Sequence, residues 1–142
     1  MPEPDIRQAG PEARILREYR AVAVVGISAG EEKASYRVAR YLKEHGYRVI
    51  PVNPREKEVL GERCYPDLCS VPERIEVVDV FRRPRFVPRI VAEAMYAGAK
   101  VVWMQEGIVH EAAARRAREA GMEVVMDRCM MKEHEKMTGG QS

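Results

Sequence analysis

Aromatic side chains are scarce in this sequence, at 6% of residues with a single tryptophan. The excess of positive charge is only two, from 24 Lys and Arg against 22 Asp and Glu. A general nucleic-acid surface needs a basic stripe interleaved with exposed aromatics. The densest basic cluster, RRPR at Arg82–Arg85, is too short to supply one, so nucleic acid is set aside as a partner. Histidine is equally thin, with His45, His110 and His134, and the three cysteines Cys64, Cys69 and Cys129 are odd in number. Cys64 and Cys69 are too widely spaced for a C-x-x-C pair, and no histidine cluster supplies missing ligands, so a metal site is not expected. The thiols fit the reduced state of the cytoplasm. No apolar run is long enough to cross a bilayer, and no charged-then-apolar leader follows Met1. The expected protein is cytoplasmic, with no membrane partner.

What the sequence does hold is a rhythm. Three helix-like segments end in Gly46, Gly98 and Gly121, and a β-branched run begins three residues later each time, at Val49, Val101 and Val124. Glycine just past a helix takes the left-handed conformation that closes the last turn. Three such junctions imply a parallel sheet with helices packed on it. The strands read as 22–27, 48–52, 77–81, 100–104 and 123–126, nearly continuous apolar runs that suit a sheet covered on both faces. Val38, Tyr41 and Leu42 mark the core side of one helix, and Val87, Ile90, Val91, Ala94 and Met95 that of the next. A third shows a small-residue face of Ile108, Ala112, Ala113, Ala117 and Ala120. The fold class is therefore α/β: one Rossmann-like domain over residues 1–142, an open, doubly wound parallel sheet with helices on both faces. A leading helix is expected over about residues 11–20 and a polar, frayed tail over about residues 134–142.

The segment 56–75 breaks the rhythm with Gly61, Pro66, Asp67 and Pro72, and reads as a loop with at most a short edge strand near Val59–Leu60. Its length lets the chain cross to the far side of the first strand. The crossing creates a switch point between strands 22–27 and 77–81, where open α/β sheets bind ligands at the carboxyl ends of their strands.

The residues at those ends are mostly small, polar or cationic. Gly26 permits a tight turn after the first strand. Ser28, Lys33 and Ser35 follow, where the amides of a helix start would face an anion and a lysine would add a point charge. A dinucleotide site would want G-x-G-x-x-G here and an acidic residue closing the second strand. Instead Gly26 precedes Ile27-Ser28-Ala29, and the second strand closes in Val52-Asn53-Pro54-Arg55, with Lys57 beyond. A neutral and then cationic end suits a ribose carrying a phosphate, not NAD. Phe81 and Arg82 end the third strand, and Arg82 is a candidate phosphate contact. Trp103 ends the fourth and reads either as a core aromatic or as the wall of an extended ligand arm, with Gln105 and Gly107 turning the chain beneath it. Catalytic candidates are poor. His110 has no evident nucleophile partner and reads as a helix start, and nothing in the sequence around Glu106 singles it out as a general base.

The strings VVGIS, GYRVIPVNP, VVDVFRRP, VVWMQEGI and DRCM together resemble the stand-alone CoA-binding proteins, whose domain is similar to the N-terminal domain of the succinyl-CoA synthetase α-subunit. The resemblance covers about residues 12–133 and implies coenzyme A, or an acyl-CoA, as ligand. It implies Gly26, Ser28, Lys33 and Ser35 at the pyrophosphate. Val52, Asn53 and Pro54 would edge the adenine and ribose, with Arg55 or Lys57 near the 3′-phosphate. Phe81, Arg82, Trp103, Gln105 and Gly107 would line the pantetheine path. The synthetase's phosphorylated histidine belongs to a second domain with no counterpart in this sequence, so ligase chemistry is not implied. Two alternatives stay open: half of an acyl-CoA ligase or transferase site completed by a partner chain, and an NAD(H)-binding sensor.

Overall fold

Valine-rich segments with no polar interruption but one pair into a five-stranded parallel sheet in the computed structural model, which describes residues 6–139. The strands are β1 (Ala21–Val25), β2 (Arg48–Val52), β5 (Val77–Val80), β6 (Val101–Met104) and β7 (Glu123–Val125), in spatial order β2-β1-β5-β6-β7. Two short strands, β3 (Glu58–Val59) and β4 (Glu62–Arg63), pair antiparallel as a separate hairpin within the crossover segment. The switch of direction expected between the first and third long strands is present, since β1 is flanked by β2 on one side and β5 on the other. Pro51 lies inside β2, which tolerates a missing N–H because it is an edge strand.

Helices cover both faces. On one, α1 (Ile6–Glu18), α2 (Ala34–Glu44) and α5 (Met130–Met137) bury Ile15, Leu16, Val38, Leu42 and Met130 against Val22, Val24 and Trp103. On the other, α3 (Val87–Ala97) and α4 (Glu111–Glu119) bury Ile90, Val91, Ala94, Ala114 and Ala117 against Ile50, Val78, Val80, Val102 and Met104. This two-sided cover is why the strands carry almost no alternation. Gly46, Gly98 and Gly121 all take positive φ, closing the helices as their spacing implied.

Three details differ from the sequence reading. The leading helix starts earlier, at Ile6, and is broken at Gly10 (φ 73°) before Pro11 restarts it. The small-residue face of α4 uses Ala113, Ala114 and Ala117, with Ala112 and Ala120 left exposed. The chain's end is helical from Met130 to Met137 and buries His134, so the polar composition there conceals a docked element. Residues 140–142 of the expected tail lie outside the described residues.

The crossover segment is held down by charge. Arg48 donates to Glu73 at 2.9 and 2.6 Å and to Glu62 at 2.5 Å, and Lys43 pairs with Glu62 at 3.0 Å. These bonds hold the Glu62 and Glu73 carboxyls below the usual carboxylate range. The carboxyl end of β2 thereby acquires a fixed wall next to it, completed by a bridge from Val52 to Tyr65.

Candidate functional site

The carboxyl ends of β1, β2 and β5 meet around a cleft of about 390 Å³ lined by Gly26, Asn53, Pro54, Arg55, Phe81 and Arg82. All six were singled out in the sequence, and the switch point brings them together from three strands. Two lining residues are cationic and none is acidic, so the surface favours an anion. The lining also contains no histidine or cysteine.

Gly26 makes the cleft possible. Its N–H donates to the Val52 carbonyl at 2.9 Å while its φ of +90° turns the chain away from β1. A Cβ built there would stand 2.9 Å from the Phe81 carbonyl oxygen and 2.9 Å from Arg82 Cδ. The position therefore needs both positive φ and the absence of a side chain.

Asn53 ties two of the walls. Its side-chain amide donates to the Ile27 carbonyl at 2.7 Å, and its Oδ1 accepts the Arg55 N–H at 2.8 Å. The second bond is an Asx turn that presents Arg55, which is exposed, over the cleft. Cys64 is buried behind this turn, with its Sγ 3.5 Å from the Asn53 carbonyl, and burial pushes its thiol up. Arg82 lays its guanidinium 3.9 Å over the Phe86 ring, which fixes its side chain at the cleft's lip. Past Pro54 and Arg82 the cleft continues into a second hollow of about 350 Å³, where Phe86 and Ile90 provide apolar wall.

The loop after β1 is tied to the helix that follows it. The Ser28 N–H donates to Ser35 Oγ at 2.9 Å, and Ser28 Oγ accepts the Gly30 N–H at 3.0 Å. Ser35 is buried one step inside α2, and Lys33 stands at the N-cap with extended backbone, exposed and making no capping bond through its side chain. The first-turn amides of α2 have no partner within the helix, as at any helix start.

The other strand-end residues lie elsewhere. Val52 is buried and contributes its carbonyl only. Of the two readings of Trp103, the structure takes the core one: the ring is 0% exposed, and its Nε1–H donates to the Arg128 carbonyl at 2.8 Å. As the chain stands, the ring walls no open path. Gln105 is likewise buried, its Oε1 accepting the Met130 N–H at 3.2 Å. Gly107 is exposed at φ +82° and donates its N–H to Asp127 Oδ1 at 2.7 Å. His110 caps α4, its Nδ1 accepting the Ala113 N–H at 3.1 Å. Cys129 is buried at the start of α5.

Two features escaped the sequence. Phe86 at the second hollow was hidden because it sits in a short turn and not at a strand end. Asp79, in the middle of β5, is fully buried with both carboxyl oxygens unpartnered, and burial drives its carboxyl well above the usual carboxylate range. Only its place in an otherwise apolar strand could have drawn notice.

A parallel, doubly wound sheet whose strand ends frame a cationic cleft at a topological switch point defines a Rossmann-like α/β domain. More narrowly, the chain belongs to the CoA-binding domain family, which residues 20–135 match. It is 36% identical over 120 residues to the uncharacterised protein YneT of Bacillus subtilis, covering 84% of this chain and 89% of that one. It is also 34% identical over 104 residues to the ADP-forming acetate–CoA ligase I of Archaeoglobus fulgidus, covering 73% of this chain but only 14% of the ligase. A hypothetical protein of Pyrococcus horikoshii has the same fold, with a TM-score of 0.89 and 43% identity over 98% of this chain and 100% of that one.

Proposed function

We propose that this protein binds coenzyme A or an acyl-CoA along the carboxyl edge of its sheet, without a complete catalytic site of its own. The observation that carries the reading is the cleft at the switch point, where Arg55 and Arg82 are the only charged residues in the lining. Arg55, presented by the Asx turn of Asn53, is placed for the ribose 3′-phosphate. The turn at Gly26, with Ser28 and Ser35 holding the loop and Lys33 at the start of α2, is placed for the pyrophosphate, where backbone N–H groups and a cation act together. Val52, Asn53 and Pro54 edge the adenosine. Phe81 and Arg82 begin the pantetheine path, and Gly107 lies further along the same edge. Trp103 and Gln105 are buried, each bonded to the chain that enters α5.

The missing acid at the end of β2 argues against NAD, which relies on a carboxylate to hold its ribose hydroxyls. Family membership and the likeness to one segment of acetate–CoA ligases support a CoA ligand. The chain matches too small a part of those ligases for their reaction to be transferred, and the cleft offers no nucleophile or base. The protein's place in the cytoplasm belongs to the same reading. Titration calorimetry with CoA, dephospho-CoA and NAD tests it. The expected order is CoA, then dephospho-CoA, with NAD not detectably bound. Equal affinity for CoA and dephospho-CoA removes the role of Arg55, and a preference for NAD overturns the whole assignment.

A further inference from the structure

Helix α5 is fastened at its two ends by chemically different means. At its start, the Trp103 indole N–H donates to the Arg128 carbonyl at 2.8 Å, and the Met130 N–H donates to Gln105 Oε1 at 3.2 Å. Both side chains are buried, and the chain entering the helix is bonded to each. Just before it, Asp127 holds φ at +59°, a left-handed conformation that non-glycine residues adopt at a cost.

At its far end α5 is held through His134, only 6% exposed, which packs into a cluster of rings in which Tyr47 is buried, Tyr41 half-buried and His45 exposed. From α2, the Tyr41 hydroxyl lies 2.7 Å from His134 Nδ1. His45, at the end of α2, stacks on Tyr41 with centroids 3.9 Å apart and approaches His134 at 5.2 Å. Tyr47 meets the imidazole edge to face at 5.7 Å and donates its own hydroxyl to the Leu16 carbonyl of α1. Arg20, between α1 and β1, sets its guanidinium 4.8 Å over the Tyr47 ring. On α5 itself the exposed Glu135 is the one nearby group that favours a charged imidazole.

A proton on His134 would therefore place a cation on a buried ring that already faces a second imidazole and a guanidinium. Burial, His45 and Arg20, in that order, hold the His134 pKa below its ordinary value. An imidazole released into water regains an ordinary affinity for the proton, so acidification through about pH 6.5 favours the undocked helix.

The geometry points to α5 as a proton-released cover over the carboxyl end of β6: docked while His134 is neutral, and swung about Asp127 when it is charged, uncovering Trp103 and Gln105. The cover's consequence for a ligand rests on the CoA reading, because the uncovered residues extend the edge that begins at Phe81 and Arg82. The motion itself does not depend on that reading.

The sole tryptophan reports it directly. In ligand-free full-length protein, acrylamide quenching and the emission maximum of Trp103 are followed from about pH 8 to about pH 5.5, alongside far-ultraviolet circular dichroism. The expected result is a several-fold rise in quenching and a red shift while the dichroism of the sheet and remaining helices persists. His134→Gln, which keeps a partner for Tyr41 but cannot charge, should stay quench-resistant across the range. Wild-type quenching that does not change overturns the proposal, as does an equal response in His134→Gln or a simultaneous loss of all dichroism. No CoA is present in these measurements, so none of these failures bears on whether CoA binds.

Discussion

The side-chain amide of Asn53 reaches 2.7 Å to the carbonyl of Ile27, joining the chain that leaves β2 to the chain that leaves β1. The same side chain accepts the Arg55 N–H, so one residue sets both the spacing of two cleft walls and the position of a cation. Asn53→Ala should cost about 1–3 kcal/mol of stability, the range for leaving a polar partner unsatisfied, and should weaken CoA binding too. Asn53→Asp keeps the acceptor but loses the donor and adds a negative charge beside the proposed phosphate. Its CoA affinity should fall below that of Asn53→Ala. Denaturant unfolding and calorimetry on both variants check the ordering.

Gly26→Ala adds one methyl group where there is no room. The Phe81 carbonyl it would meet belongs to the backbone at the end of a central strand and has little freedom to move. Together with the positive φ, the change should lower stability by on the order of 1–3 kcal/mol. A melting temperature equal to that of wild type would show that the turn relaxes freely.

Lys33 and Ser35 should separate binding from stability. Lys33→Ala removes an exposed charge with no capping role, so the ligand-free protein should melt as wild type does while CoA binding weakens by about 1–3 kcal/mol. Ser35→Ala removes a buried acceptor and strands the Ser28 N–H, so its main cost, again about 1–3 kcal/mol, should fall on the ligand-free protein. The reverse pattern would mean that Lys33 is structural and Ser35 is not.

Asp79 makes stability depend on pH with an unusual sign. Its folded pKa is raised, so the folded state holds the proton more tightly than the unfolded state does. That contribution is fully present below the unfolded carboxyl value, about pH 3.9, and is lost as pH climbs towards the raised folded value. Relative to wild type, Asp79→Asn should therefore gain stability progressively as pH rises from acid to neutral. A wild-type-minus-variant difference that is flat with pH would show that Asp79 is not a buried neutral acid.

Much of this was legible before any coordinates. The three glycine junctions gave the helix ends, and the absence of alternation gave the two-sided cover, because both are consequences of local backbone chemistry and burial. The cleft lining was readable for a related reason: in an open parallel sheet the carboxyl ends of the strands are known once the strands are. Trp103 and His134 were harder. An aromatic near the end of a strand looks the same in sequence whether a helix covers it or not. The helix at the chain's end has the composition of a tail: Met130 and Met131 are followed by the polar run KEHEK before Met137. One of the contacts that hold it is a hydroxyl–imidazole pair between residues 93 positions apart, which no local pattern records.

All six residues that line the cleft occur before position 83, yet the strand that supplies Phe81 lies in the middle of the sheet. During synthesis, β5 therefore emerges with its outer edge bare, and it remains so until β6 arrives some twenty residues later to pair with it. The two helices that cover one whole face, α3 and α4, come later still than β5. The edge that carries the cleft is thus encoded early, while the sheet around it depends on long-range parallel pairing that comes later. A nascent chain that already carries every lining residue still lacks the two strands that complete the sheet beside them.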